Sequence, residues 1–419
     1  MSDAVRLRSL PTRLRVALIV GAAFALRLAW LLHARPEPVS DYLWYYRLGQ
    51  NLIDKGHLGL AESSAQALPG HPLLLAALML ISRSTLWLSL AMVILSTVTV
   101  GLVYVLARRL TRNETVALVA AGVAAVSPTF VLYSPVLGTE HLFAVLMLGS
   151  LLLTLRLRPE DTWTALGAGA VTGLAVLTRG EAVFYLPVLA AVVWWTNRAS
   201  PRRTRLRLVS LMAVAVVAVV TPWIVRNAVV VRPGIYLSTV GGMNFYSGHN
   251  PDGYGWSPDV PWDSDLEANE VGWELGLAYI RERPNSILES IRDGTYNLFA
   301  SPDYALFWST QSPVPGTDDF VARFVPLQGV LGKALPAAAA FYLAMAGAAV
   351  LLWRRWSSEL RIVVVGLVSA SWLGHAVLLF AHPRFRYFLD IVFTVVIALT
   401  LVTLGQVGRQ TSEEEPTTT

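Results

Sequence analysis

Asp41 is the residue of this chain best placed to do chemistry. The first hydrophobic segment, Leu14 to Leu32, ends, and within nine residues the chain presents this carboxylate in the run Pro36-Glu37-Pro38-Val39-Ser40-Asp41-Tyr42. An acid just outside an apolar span, followed by Tyr42, Trp44, Tyr45, Tyr46 and Leu48, suits a general base at a bilayer surface, taking a proton from a hydroxyl within hydrogen-bond reach. The same position suits a helix N-cap, because Ser40 and Asp41 are both preferred there ahead of an apolar-periodic stretch. Glu37, between two prolines, is the nearest second carboxylate and reads as a solvated loop residue. Near the other end of the chain, Arg384 and Arg386 stand two apart in His382-Pro383-Arg384-Phe385-Arg386-Tyr387. At the mouth of the last apolar segment such side chains reach an anionic headgroup or simply snorkel.

The elements that must position these groups are read from composition. Hydrophobic residues make up 54% of the chain and charged residues 15%, with a mean hydropathy of +0.53. Soluble domains carry about 25% charged residues, so this is an integral membrane protein. A helical span needs about 20 mostly apolar residues. Ten such stretches centre near residues 23, 95, 122, 147, 170, 188, 214, 344, 371 and 397. The expected fold is an all-α polytopic membrane bundle of about ten transmembrane helices, with extracytoplasmic amphipathic helices and a long outer loop.

Sidedness follows from basic residues, which are retained on the cytoplasmic side. Arg6, Arg8, Arg13 and Arg15 precede the first span, while Arg108, Arg109 and Arg112 follow the second and Arg156 and Arg158 the fourth. Arg202, Arg203, Arg205 and Arg207 follow the sixth, and Arg354, Arg355 and Arg361 the eighth. These ends alternate correctly for ten spans with both termini inside. The acids Asp252, Asp259, Asp263, Asp265, Glu267, Glu270 and Glu274 fall in the loop this topology puts outside. The net charge of +5 therefore reflects topology and contact with membrane lipid, and carries no nucleic-acid signal. Arg27 interrupts the first segment and no small-x-small site follows it, so the segment is expected to stay as an anchor. The absence of cysteine excludes disulfides and thiolate metal sites.

The chain divides into an N-terminal transmembrane module over 1–223 with a functional first outer loop at 34–83, an extracytoplasmic loop region at 224–333, C-terminal transmembrane helices at 334–408 and a disordered tail at 409–419. The first loop holds a helix-like stretch near 42–54 and, after Pro69-Gly70-His71-Pro72, an apolar run from Leu73 to Ile81 too short to span. The larger loop is rich in Gly, Pro, Trp and acids, with an amphipathic helical reading near 265–298. Loops this long in a compact protein usually carry function.

Taken in order, several motifs resemble the GT-C membrane glycosyltransferases. These are the first-loop Asp41, the run Pro69-Gly70-His71-Pro72-Leu73-Leu74-Leu75, Thr178-Arg179-Gly180-Glu181, Thr221-Pro222-Trp223-Ile224-Val225-Arg226-Asn227, Asn244 to Pro251, and His382 to Tyr387. The nearest branch is family 39 with the related bacterial proteins similar to protein O-mannosyltransferases and the lipid A aminoarabinose transferase. The resemblance covers about residues 13 to 407. It implies transfer of a sugar from a polyprenyl-phosphate donor to an acceptor hydroxyl of a lipid, glycan or protein, at the outer face of a bacterial inner membrane. By that resemblance Asp41 is the catalytic base, Arg384, Arg386, Arg226 and Arg179 bind the donor phosphate, and Tyr45, His249, Asn250, His382 and Tyr387 contact sugar or acceptor. Where the eukaryotic mannosyltransferases carry Asp-Glu, this chain has Asp41-Tyr42.

Chemistry agrees with that implication. A sugar phosphate expels a good leaving group, so a general acid is needed less than in ordinary glycoside hydrolysis. One base and one cationic clamp of planar arginines suffice. A single base without a covalent nucleophile implies inversion. No cofactor is expected and a divalent metal is not indicated, since Asp263-Ser264-Asp265 reads as a solvated or capping pair.

Other residues have two readings. Arg179 and Glu181 form a turn or a functional pair; Arg226 is external against the usual charge bias; Trp223 reads as an aromatic-belt residue. The segment Gly241 to Asn250 suits sugar contact or a plain surface turn. Glu140 and His141, at the outer start of a span, read as solvent-exposed, and Arg27 as facing the interior, paired with an acid. Trp256, Trp262, Trp273 and Trp308 read first as membrane contacts. The competing function is a transporter or flippase for an anionic lipid-linked substrate, with a non-catalytic scaffold as a third reading. The first lacks an inverted repeat here, and its ionisable groups would lie at mid-membrane.

Overall fold

The computed structural model describes residues 10–59, 65–231, 237–255, 264–299, 304–317, 319–323, 329, 340–341 and 343–414. Within them the chain is a helical bundle with one two-stranded hairpin. Helix α1 (Thr12–Ala34) enters the bundle. The first outer loop then supplies α2 (Ser40–Lys55) and the ten-residue α3 (Gly70–Met79). Next come α4 (Thr85–Thr111), α5 (Glu114–Val126), α6 (Pro128–Tyr133), α7 (Glu140–Arg156), α8 (Thr162–Thr178), α9 (Ala182–Thr196) and α10 (Arg202–Val230).

The second outer region contains α11 (Gly241–Gly248), α12 (Asp265–Glu282), α13 (Ser286–Phe299) and α14 (Tyr304–Ser309). It also contains the hairpin of β1 (Gln311–Pro313) with β2 (Phe320–Ala322), in which Ser312 faces Val321. A helical segment α15 over 343–351 precedes α16 (Ser358–Ser371), a wider π-helical turn over Trp372–Leu378, a 3-10 turn over Pro383–Arg386, and α17 (Tyr387–Glu414).

Among the described residues five helices are long and apolar enough to cross a membrane: Thr12–Ala34, Thr85–Thr111, Arg202–Val230, Ser358–Leu378 and Pro383–Gln406. The expected spans near 122, 147, 170 and 188 form shorter helices, and the one near 344 lies partly outside the described residues. One is cut where Ser127 meets Pro128, since proline at N1 starts α6 but cannot extend α5. Local chemistry sets other ends as well. Asn113 accepts from the Val116 amide to open α5, Ser357 accepts from Leu360 to open α16, and Gly56 closes α2 at a φ of 74°. The amphipathic stretch near 265–298 forms as α12 and α13, broken at Pro284.

Apolar side chains do not drive helices together inside lipid, so close approach does. Gly169 and Gly173 on α8 face α10, where a Cβ at Gly173 would meet Val219 at 2.8 Å. Gly70 plays the same part at the start of α3, where a Cβ would lie 2.6 Å from the Thr178 hydroxyl at the end of α8. This abuts the first outer loop against the turn that carries Arg179.

Three expectations change. Arg27 is fully buried with no acid: it donates to the Ser96 hydroxyl at 3.0 Å and to the carbonyls of Ala23, Ala124 and Ala125 at 2.9 to 3.1 Å. The last two are the unsatisfied carbonyls at the negative end of α5, which a cation complements. Trp223 is no belt residue; it is buried among Leu48, Leu58 and Ala67 and donates to the Leu237 carbonyl at 2.8 Å. The expected disordered tail begins as helix, because α17 continues to Glu414. Trp256, Trp262 and Asp263, and residues 415–419, lie outside the described residues.

Candidate active site

The site gathers at one end of the bundle, where α2, the starts of α7 and α9, the end of α8 and the approach to α17 meet. The extended Pro38-Val39 stretch turns into α2 through Ser40, whose φ of 50° lies in the left-handed region uncommon for non-glycine residues. Asp41 therefore sits in the first turn of α2, and no side chain caps that helix. Its carboxylate Oδ2 instead pairs with Nη2 of Arg384.

Asp41 is the most open member of the cluster. Its side chain is 40% exposed, against 18% for Arg384, 12% for Arg179 and 4% for Glu140. Burial pushes the Asp41 carboxyl up, but the Arg384 guanidinium, helped by His382 and Arg179, outweighs it and holds the group below the ordinary carboxylate range. His382 lies alongside and accepts the Arg384 amide through Nδ1 at 3.3 Å. Burial and the Arg384 charge lower its ring to about 4, so it is neutral near pH 7.

Behind Asp41 runs a buried network. Tyr42 shares a 3.0 Å hydrogen bond with Tyr133, and Tyr133 donates to Glu140 Oε2 at 2.8 Å. Arg179 binds Glu140 Oε1 at 2.7 Å, the Thr139 hydroxyl at 2.7 Å and Glu181 Oε2 at 3.1 Å. His375, in the π-helical turn, joins Glu181 Oε2 at 2.9 Å. The guanidiniums of Arg179 and Arg384 lie 5.2 and 5.5 Å from the Phe385 ring, a cation–π arrangement that holds two like charges with one aromatic. The cluster thus holds one cation, Arg179, between two buried carboxylates and the other, Arg384, against the more open Asp41.

Of the residues singled out from sequence, Asp41, Arg384, Arg179, His382 and Tyr45 converge. Tyr45 feels the charges of Asp41, Arg384 and Arg179 and packs its ring on His71 at 5.4 Å. The rest go elsewhere. Arg386 points away from Arg384, donating to Asp390 at 2.9 Å and to the Leu298 carbonyl at 2.8 Å, so it ties α17 to α13. Arg226 donates to Asn227 at 3.1 Å and to the Leu58 carbonyl at 3.3 Å.

His249 and Asn250 are buried at the end of α11. There Asn250 bonds the Tyr246 and Ser247 carbonyls at 3.1 and 3.3 Å and accepts the Asp252 amide at 3.0 Å, which fits the plain-turn reading. Tyr387 is buried against Phe130 and bonded to His141 at 3.2 Å.

Glu140, read as solvent-exposed, is instead buried and paired. The loop over 134–139 folds its helix start inward against Arg179. Trp308 meets the Tyr42 ring at 5.3 Å, so it walls the site instead of resting on lipid. His375 was not singled out; a lone ionisable side chain in an apolar run was the available signal. Among the described residues no group of three or more His, Asp and Glu side chains is arranged to hold a metal ion.

Comparisons with known proteins bear on this arrangement. The family described as dolichyl-phosphate-mannose-protein mannosyltransferase matches residues 66–225, the stretch that carries Glu140, Arg179 and Glu181 but neither Asp41 nor Arg384. Among solved structures, the Archaeoglobus fulgidus oligosaccharyltransferase, tethered with an acceptor peptide containing the NVT sequon, superposes over 93% of this chain with a TM-score of 0.52 at 17% identity. The chain spans 49% of that structure, and at this identity the likeness is one of fold. No curated protein matches the chain significantly. The family match supports the resemblance to GT-C superfamily glycosyltransferases over residues 66–225, and the structural match shows an all-α polytopic fold of that kind.

Proposed function

We propose that the chain is a membrane glycosyltransferase that moves a sugar from a polyprenyl-phosphate donor to an acceptor hydroxyl at the extracytoplasmic face, with inversion. The observation that carries this reading is the pairing of a half-open carboxylate, Asp41, with a largely enclosed guanidinium, Arg384, at the end of an apolar bundle. Arg384 keeps a buried Nε–H without a hydrogen-bond partner, a donor suited to a phosphate oxygen.

In the proposed step the donor phosphate takes over Arg384 and releases Asp41 to the acceptor. Asp41 accepts the proton of the acceptor hydroxyl, and the acceptor oxygen bonds the anomeric carbon from the side opposite the phosphate. The carbon–oxygen bond to phosphate breaks, and its electron pair leaves on the phosphate, where Arg384 stabilises it, with Arg179 behind it held between Glu140 and Glu181. In this reading neutral His382 and the Tyr45 hydroxyl bond sugar or acceptor hydroxyls.

The reading is tested by supplying membranes that contain the protein with polyprenyl-phosphate sugars labelled in the sugar. Label should pass to an acceptor with release of polyprenyl phosphate. Donor moved intact across the bilayer, with no transfer, would favour the flippase.

A further inference from the structure

We infer that the end of the bundle opposite Asp41 binds the phosphodiester headgroup of an anionic phospholipid, in a cavity ringed by Arg109, Arg156 and Arg158. The cavity measures about 420 Å³, and Thr196 and Glu359 complete its polar wall.

Its level in the bundle follows from the helices themselves. Helix α7 begins at Glu140 in the candidate active site and ends at Arg156 in this cavity, and α9 begins beside Glu181 and ends at Thr196. At 1.5 Å per residue α7 separates the two by about 24 Å, close to the roughly 30 Å of a bilayer's hydrocarbon core. The cavity therefore sits at the headgroup level of the other leaflet.

Charge selects the ligand. Glu359 is already held by Arg109 at 2.8 Å, and Arg109 also donates to the Leu155 carbonyl at 2.6 Å. Among the described residues no ion pair engages Arg156 or Arg158, so the cavity presents a net positive wall. Basic pockets between membrane helices are suited to phosphate headgroups.

Shape separates a lipid from a free anion. Thr196 and Glu359 also adjoin the side chains of Val192, Trp195 and Ile362 where α9 meets α16, so the polar cavity is bordered on one side by an apolar surface. The Trp195 ring lies 4.9 Å from the Arg198 guanidinium, an aromatic and a cation together at the interface. Inorganic phosphate would occupy only part of the cavity and leave that apolar border uncovered.

The test uses native mass spectrometry of the purified full-length protein, stripped of lipid and offered phosphatidylglycerol or phosphatidylcholine of equal chain length. Phosphatidylglycerol should be retained at least about tenfold better. The double substitution Arg156→Gln/Arg158→Gln should reduce it to the phosphatidylcholine level, while Arg156→Lys/Arg158→Lys keeps most of the binding. Arg202→Gln/Arg203→Gln, which removes exposed charges outside the cavity, should change nothing.

Equal binding of the two lipids would overturn the proposal. So would full retention by the glutamine variant, equal loss on removing Arg202 and Arg203, or displacement of the lipid by inorganic phosphate. If the double glutamine variant does not fold, each single substitution should still show a several-fold loss, and none would contradict the site.

Discussion

Asp41 and Arg384 form an ion pair across 343 positions of sequence. It joins the first outer loop to the start of the last helix, and its two members differ in exposure, 40% for the acid and 18% for the base. In the proposed mechanism this pair is the resting state: the more exposed carboxylate changes partner, while the enclosed guanidinium stays in place for the donor phosphate.

Arg384 and Arg386 should therefore separate on substitution. Arg384→Gln is expected to raise the donor KM and lower kcat by about a hundredfold or more, as for loss of a group that stabilises developing charge. Arg386→Gln leaves Asp390 buried without its partner, so it should lower the Tm while the donor KM of the folded fraction stays near wild type. Donor titrations of both variants check this; equal effects on donor KM would count against the division of labour.

Glu140 holds the network together. Glu140→Gln removes one carboxylate from Arg179 and weakens the acceptor of Tyr133. Arg179 keeps Glu181 as a partner, so the cost is that of weakened buried hydrogen bonds, about 1 to 3 kcal/mol, and thermal unfolding in detergent should show a fall in Tm of several degrees. A Tm within about a degree of wild type would mean that solvent reaches Arg179, contrary to its 12% exposure.

Acid should destabilise the protein before its carboxylates titrate. His71 is fully buried, and burial lowers its ring to about 4 from an ordinary 6.5. Between those values the unfolded chain takes up the proton and the folded chain does not. The contribution is thus complete above about pH 6.5 and is lost as pH falls towards 4, at most about 3 kcal/mol for this group. His71→Asn should flatten the fall in Tm over that window. An unchanged slope would show that His71 is protonated in the fold.

The helical bundle was legible because hydropathy is a one-dimensional property of the sequence. Direction of side chains was not. Arg384 and Arg386 look equivalent two residues apart, but the 3-10 turn over Pro383–Arg386 points one towards Asp41 and the other towards Asp390. Glu140 looked solvated at a helix start because nothing local shows that a distant turn lays Arg179 over it. Arg27 was expected to need an acid, whereas a helix end supplied the negative potential.

The central claim is that Asp41 takes the acceptor proton. Its most direct test is the rate of label transfer from a polyprenyl-phosphate sugar by Asp41→Asn, with donor binding measured on the same preparation. Loss of a general base predicts a fall of about 10²- to 10⁴-fold in kcat, with donor still bound because Arg384 remains. Transfer at the wild-type rate by folded Asp41→Asn protein would contradict it.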